Sequence, residues 1–169
     1  NHNTPMSELL LTHKANINDR TKDGETPLLI AVQEGQLDRV NWVLKNKPDL
    51  EAKDAKGSTA LMLAVAKAQR SIIEALLAKG ANINTKDNNG LAPLHYVALK
   101  ADLPLIELLL AKGANIEIMD NKENTPLMYA AINKQKTSFD LLLAKGANSR
   151  TKNLDGLTPQ EVMDRYGIK

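Results

Sequence analysis

The chain contains no cysteine, and its 169 residues include only one Phe, one Trp and three Tyr. Without thiols there is no disulfide framework, no thiolate metal site and no cysteine nucleophile, while the compartment stays open. With aromatics at 3%, ring-lined ligand cages are disfavoured. The apolar 43% is mostly Leu, Ala, Ile and Val, which suits small packed helices in a folded, soluble protein. Charge of one sign is also scarce. Lys and Arg number 22 against 20 Asp and Glu, a net of +2, far from the concentrated positive field of a nucleic-acid binder. No apolar run reaches about 18 residues, so no membrane span is visible. The opening NHNTPMSELL has no basic region followed by an apolar core, so no secretion signal is visible either.

What the chain does have is repetition. LLLAKGAN stands at 108–115 and again at 141–148, with ALLAKGAN at 75–82 and the altered copy LLLTHKAN at 9–16. Thr26-Pro27, Thr59-Ala60, Ala92-Pro93, Thr125-Pro126 and Thr158-Pro159 follow one another at a step of 33 residues. Gly24, Gly57, Gly90 and Gly156 keep that step, with Glu123 in the one substituted position, and so do Gly80, Gly113 and Gly146. Such a period marks a repeat architecture.

Within each unit the local signals predict a turn and two short helices. DAKG (54–57) and DNNG (87–90) place Asp first and Gly fourth, the preference of a type I turn, and Thr-Pro just beyond suits a helix cap with proline in the first turn. The first helix reads TPLLIAVQ, TALMLAVA, APLHYVAL and TPLMYAAI, apolar enough to be buried on most sides. The second is expected to begin near Asp38, Ser71, Pro104 and Thr137, each a capping residue or an N1 proline. It ends in the repeated octet: three leucines supply the buried stripe, Lys112 faces the negative end of the helix dipole, and Gly113 takes the left-handed turn that stops the helix. One such unit cannot cover its own apolar surface, so neighbours must stack in a row with a shared core.

Copies of Thr-Pro-Leu-His-x-Ala, none of them intact, a second helix ending Leu-Leu-x-x-Gly-Ala, and the 33-residue step together resemble the ankyrin repeat. The resemblance implies an all-α repeat protein, an ankyrin-type α-solenoid of stacked helix-turn-helix units joined by β-hairpin-like turns. It divides a single domain, 1–169, into a partial repeat at 1–18, full repeats at 19–51, 52–84, 85–117 and 118–150, and a closing partial repeat at 151–169. Residues 1–18 match only the second half of a unit, through Pro5, Glu8, Leu9 to Leu11 and Asn16, so either the native chain extends upstream or this one was trimmed. In TPQEVMDRYGIK, the polar residues Gln160, Glu161, Asp164 and Arg165 replace apolar ones, as a solvent-facing natural end would need.

Several positions depart from the family pattern. His95 has Ala92 where Thr is expected, and the units that keep Thr carry Leu29, Met62 or Met128 instead of His, so the family's Thr-His bond is absent and apolar packing is expected to replace it. KNKPDL lacks the helix-end glycine, Pro48 forces the exit, and a local distortion between the first two full repeats is expected.

Reaction chemistry finds little support. His2, His13 and His95 fall in different units at unlike positions, and no G-x-S-x-G, H-E-x-x-H, P-loop or G-x-G-x-x-G string occurs. His95 is expected to be a buried structural residue. Asp54, Asp87 and Asp120 each head a turn, and packed neighbours would hold them roughly 10 Å apart, too far to share a metal. No cofactor, metal or catalytic residue is expected, and the chain is not expected to be an enzyme.

Ankyrin-like proteins generally hold another protein against a concave face of turn tips and first helices. The resemblance therefore implies a non-catalytic protein-interaction module, monomeric on its own, with the cytoplasm as the default compartment. Its variable contact positions map here to Lys22, Asp23, Glu25, Gln33 and Glu34, then Lys56, Ser58 and Lys67. The next two units contribute Asn88, Asn89, Leu91 and Lys100, then Asn121, Lys122, Asn124 and Asn133. Tyr96 and Tyr129, at the same position of successive first helices, are the preferred anchors along with Leu91, or else they pack between repeats with wet hydroxyls. Trp42 is read mainly as core. The alternative is a binder of anionic polymer or a membrane surface through the cations Lys79, Lys112 and Lys145, for which helix-dipole compensation is the simpler account.

Overall fold

The computed structural model describes residues 16–166; the 1–18 half-repeat, with His2 and His13, therefore lies almost wholly outside the described residues. Among the described residues there are nine helices and no strand. The chain divides into two compact units, one ending at Asn82 and the next starting at Ile83.

The first unit holds α1 (Pro27–Glu34), α2 (Leu37–Lys45), α3 (Ala60–Ala66) and α4 (Arg70–Ala78). The helices pair as α1 with α2 and α3 with α4, and the pairs stack first helix on first helix and second on second. The second unit holds α5 (Pro93–Lys100), α6 (Leu103–Ala111), α7 (Pro126–Ile132), α8 (Lys136–Ala144) and α9 (Pro159–Tyr166). Here α5/α6 and α7/α8 pair in the same manner, and α9 covers α7. This is helix-turn-helix stacking, built at the period that the sequence displays.

The first helices begin where expected. Thr26, Thr59 and Thr125 adopt extended backbone and their hydroxyls accept the N–H of Leu29, Met62 and Met128 at 3.4 Å. The second helices begin one or two residues earlier than the capping residues and the N1 proline suggest. Their caps are Gln36, Gln69, Asp102 and Gln135, so Asp38, Ser71, Pro104 and Thr137 occupy the second helical position. Only Asp102 caps with its side chain, accepting Leu105 N–H at 3.1 Å. The stop signal works as spelled. Gly80, Gly113 and Gly146 sit at φ 91°, 91° and 96°, and the following Ala81, Ala114 and Ala147 donate N–H back to Leu76, Leu109 and Leu142 at 3.1, 2.9 and 3.0 Å. This six-residue closure satisfies carbonyls the helix end would leave orphaned.

KNKPDL produces no displacement of the helix end. Lys45 ends α2 where Ala78 ends α4, one period later, and Lys47 takes the left-handed conformation of Gly80 at φ 53°. Pro48, at the position of Ala81, has no N–H with which to close the six-residue ring. The stacking of α1 on α3 and α2 on α4 continues across this segment.

Two features fix the spacing of successive repeats. Leu29, Met62, His95 and Met128, one period apart, are 0–1% exposed at the heart of the first helices. Each unit also carries polar rungs at the same period. Asn18 Oδ1 accepts Asp49 N–H at 2.8 Å, Glu51 Oε1 accepts Asn82 N–H at 2.8 Å, Asn84 Oδ1 accepts Asn115 N–H at 2.8 Å, and Glu117 Oε1 accepts Asn148 N–H at 2.7 Å. In α9, Val162 and Met163 are buried while Gln160, Glu161, Asp164 and Arg165 are exposed.

Gly90 and Gly156 separate two roles of the turn glycine. Both are left-handed, at φ 81° and 74°. A Cβ on Gly90 would stand 2.5 Å from Asn121 N and Oδ1, whereas one on Gly156 would meet nothing within 4 Å. Gly156→Ala is expected to cost about 1 kcal/mol, the penalty of the left-handed backbone. Gly90→Ala should cost at least ~2 kcal/mol more through overpacking. Urea denaturation of both variants checks this, and equal losses would show that Asn121 does not constrain the site.

Candidate functional site

Each turn is organised by the residue at its head. Asp54 Oδ1 accepts the N–H groups of Lys56 and Ser58, both at 2.8 Å, and Asp87 Oδ1 accepts those of Asn89 and Leu91 at 2.8 and 2.9 Å. Asp120 Oδ1 does the same for Lys122 and Asn124 at 2.8 and 2.7 Å, and Asn153 Oδ1 for Asp155 and Leu157 at 3.1 and 3.0 Å. Each of these turns is also closed by its fourth residue donating N–H to the carbonyl of the first, at 2.8–3.1 Å. The carboxylates are thus turn formers, as the sequence indicates.

In the first unit, Lys22, Asp23, Glu34, Lys56 and Lys67 are exposed. Glu25 and Gln33 are half-buried and bonded to each other, Gln33 Nε2 to Glu25 Oε1 at 2.6 Å. Lys67 Nζ donates to the Gln33 carbonyl at 2.6 Å, so this lysine clips one first helix to the next in addition to any contact role. Ser58 is only 7% exposed and belongs to the turn interior, which corrects its expected place among contact residues. Trp42 is half-buried on α2.

In the second unit, Asn88, Asn89, Lys100, Asn121, Lys122 and Asn133 are exposed, and Leu91, Tyr96 and Tyr129 are half-buried. Asn121 N–H donates to the Asn89 carbonyl at 3.1 Å and its Nδ2 to the Asn88 carbonyl at 3.0 Å. Leu154 N–H donates to the Lys122 carbonyl at 3.0 Å, so the tips at Asn121 and Leu154 are each tied to the one before. Asn124 requires a correction. It is 6% exposed, donates Nδ2 to Asp120 Oδ2 at 3.3 Å and accepts Asn153 Nδ2 at 2.8 Å, so both ends of its amide are consumed inside the fold. A further apolar point, unnoticed in the sequence, is Leu154, 65% exposed at the tip of the last turn.

The tyrosine hydroxyls are not left to water. Tyr96 Oη donates to Asp87 Oδ2 at 2.6 Å and Tyr129 Oη to Asp120 Oδ2 at 2.7 Å, each fastening a first helix to its own turn. The hydroxyls are thus directed to carboxylates of the same repeat. The signal for this was the nine-residue interval between Asp and Tyr, present in both repeats. Burial and then the bond to Asp120 raise the Tyr129 hydroxyl well above the ordinary tyrosine value, so it stays protonated. Burial works to raise the Asp120 carboxyl, but hydrogen bonds from Tyr129, Asn124 and Lys122 together hold it below its ordinary 3.8.

His95 is fully buried on α5. Its Nδ1 accepts Ala92 N–H at 2.9 Å and its Nε2–H donates to the Asn124 carbonyl at 3.1 Å, while Tyr129 meets the ring edge-on with centroids 5.2 Å apart. The missing Thr-His bond is therefore replaced by the ring reaching back to the helix start, and apolar packing is only part of the substitution. In α3 the Met62 sulfur accepts Thr59 N–H at 3.4 Å in the same way. Both imidazole nitrogens are committed and inaccessible, which removes His95 as a base.

Lys79, Lys112 and Lys145 are exposed at the ends of α4, α6 and α8. Lys145 pairs with Glu107 at 3.0 Å, beside a shallow hollow of about 400 Å³ floored by Leu110, Ala111, Ala114 and Ile116. Among the described residues no group of three or more His, Asp or Glu is placed to hold a metal ion, and no helix is long and apolar enough to cross a membrane.

The family model for ankyrin repeats, three copies in length, matches residues 1–87 and 61–153. The chain belongs to the ankyrin-repeat family, whose fold is a non-catalytic scaffold. No curated protein matches the chain.

Burial keeps the His95 imidazole below its ordinary value of 6.5, outweighing the Asn124 carbonyl and the Asp120 charge, which pull upward. Above pH 6.5 the residue is neutral in both folded and unfolded chains and contributes no pH dependence. Below it the unfolded chain takes up a proton that the folded chain refuses, so stability falls with pH until the folded value is reached. The slope approaches 1.4 kcal/mol per pH unit at most. The Asp120 contribution is retained throughout this range and is lost only below 3.8. Urea midpoints measured from pH 7 to about 5 should decline for the native chain and much less for His95→Gln; an unchanged slope in the variant contradicts the assignment.

Proposed function

We propose that the chain is a protein-interaction module and that the turn tips and first helices of its units form the contact surface. The observation that carries this is the state of the turns. Their backbone is fixed by internal hydrogen bonds from Asp54, Asp87, Asp120 and Asn153, while side chains such as Lys56, Asn89, Lys122 and Leu154 are exposed beside it. A surface already ordered before encounter loses little conformational entropy on binding. In the second unit, Leu91 and the rings of Tyr96 and Tyr129 supply half-buried apolar area next to exposed amides and a lysine, the composition of a protein contact. Because both hydroxyls already face carboxylates, the rings contribute area and shape to such a contact.

The lysines at the second-helix ends are a weaker basis for function. One of the three, Lys145, is already neutralised by Glu107. Affinity capture with the intact chain should be weakened at least ~10-fold by Lys122→Glu combined with Leu154→Glu, equal to about 1.4 kcal/mol. Lys79→Glu combined with Lys112→Glu should leave capture intact. The reverse pattern, with steep loss of binding in salt, would transfer the function to the lysine ends and an anionic partner.

A further inference from the structure

Asn89-Gly90 is the only Asn-Gly pair in the sequence. Asn89 is exposed at its turn tip, while Gly90 is buried against Asn121 and carries no side chain beside its amide nitrogen. That nitrogen is one bond-forming step from the Asn89 side-chain amide carbon. In the folded turn, however, Gly90 N–H donates to the Asp87 carbonyl at 3.0 Å, Asn89 N–H is held by Asp87 Oδ1 at 2.8 Å, and the Asn89 carbonyl accepts Asn121 N–H at 3.1 Å. The two peptide units flanking the Asn89 Cα are therefore pinned at three points.

We propose that Asn89 is a deamidation site whose reaction is gated by opening of its own turn. In the reaction the Gly90 nitrogen loses its proton and bonds to Asn89 Cγ. The Cγ–Nδ2 bond breaks and its nitrogen leaves as ammonia. Water then opens the cyclic imide to aspartate or isoaspartate, with no oxidation or reduction. Substitution of the glycine cannot easily remove this liability, since a Cβ on Gly90 would stand 2.5 Å from Asn121 N and 2.9 Å from the Asp120 carbonyl carbon. The Asp-Gly pairs at Asp23–Gly24 and Asp155–Gly156 have no such neighbour within 4 Å. The product places a new negative charge beside Asp87, and the isoaspartate form also lengthens the backbone at the residue that holds Asn121. A turn that opens once under stress would thereby be altered permanently, at a residue of the proposed contact surface.

The test is peptide-resolved mass spectrometry of the full chain aged in mildly alkaline buffer, with and without denaturing urea. Its readout is independent of any partner, so it stands or falls apart from the proposed interaction. Acid should accumulate at Asn89 in urea, and at least ~10-fold more slowly in the folded chain, the factor imposed by an opening free energy of about 1.4 kcal/mol. Asn121→Ala removes the side-chain bond to Asn88 from an exposed position and should accelerate the folded-state reaction severalfold without change in urea. Equal rates folded and unfolded, no reaction at Asn89 in urea, or an unaltered folded-state rate in Asn121→Ala would each overturn the proposal.

Discussion

The structure depends on one side-chain oxygen at the head of each turn. Asp54, Asp87, Asp120 and Asn153 occupy the same place in successive repeats and each captures two backbone N–H groups that would otherwise need water. That capture sets the direction in which the chain enters the first helix, and the threonine cap follows a few residues later. With helix entry fixed at one end and the left-handed glycine closure fixed at the other, a short helix pair acquires defined ends without much intrinsic stability of its own. Helices of seven to nine residues are marginal in isolation. Their persistence rests on stacking, which requires that every unit present its apolar face in the same register.

The 33-residue period, the helix-end glycines, the threonine caps and the polar outer face of α9 were all legible in the sequence, because each is a local rule written in residue type. The second-helix starts were misplaced because Ser71 and Thr137 look like caps, while the real cap positions, Gln69 and Gln135, make no side-chain bond. There the helix start is set by the left-handed residues Ala68 and Lys134 just before, at φ 53° and 57°. Nothing in the residue type announces that conformation, and stacking must supply what glycine would otherwise provide.

The proposed contact surface was legible only as a set of positions. Side-chain chemistry then redistributed them: Asn124, nominally variable and polar, is the hub between Asp120, Asn153 and His95. A polar residue at a surface position cannot be told from one at a buried hub until its neighbours are known, since both need partners of the same kind. The polar rungs at Asn18, Glu51, Asn84 and Glu117 were missed for the opposite reason. They mix Asn and Glu, which share only an acceptor oxygen, so identity hides a recurrence that hydrogen-bonding capacity reveals.

The two units brace the same turn differently. In the second unit, Tyr96 and Tyr129 brace the turns through Asp87 and Asp120, and successive tips are joined by backbone bonds. In the first, no tyrosine occupies those positions; Arg20 Nη1 spans from the Gly24 carbonyl at 2.6 Å to the Lys53 carbonyl at 2.7 Å, and Lys67 clips the helix ends. A turn braced by a half-buried ring and a carboxylate resists deformation, whereas one held by long cationic side chains can exchange those bonds for others at small cost, because Lys and Arg retain many rotamers. The second unit's turns are therefore the more firmly braced, and the first unit's cationic clips exchange partners more readily.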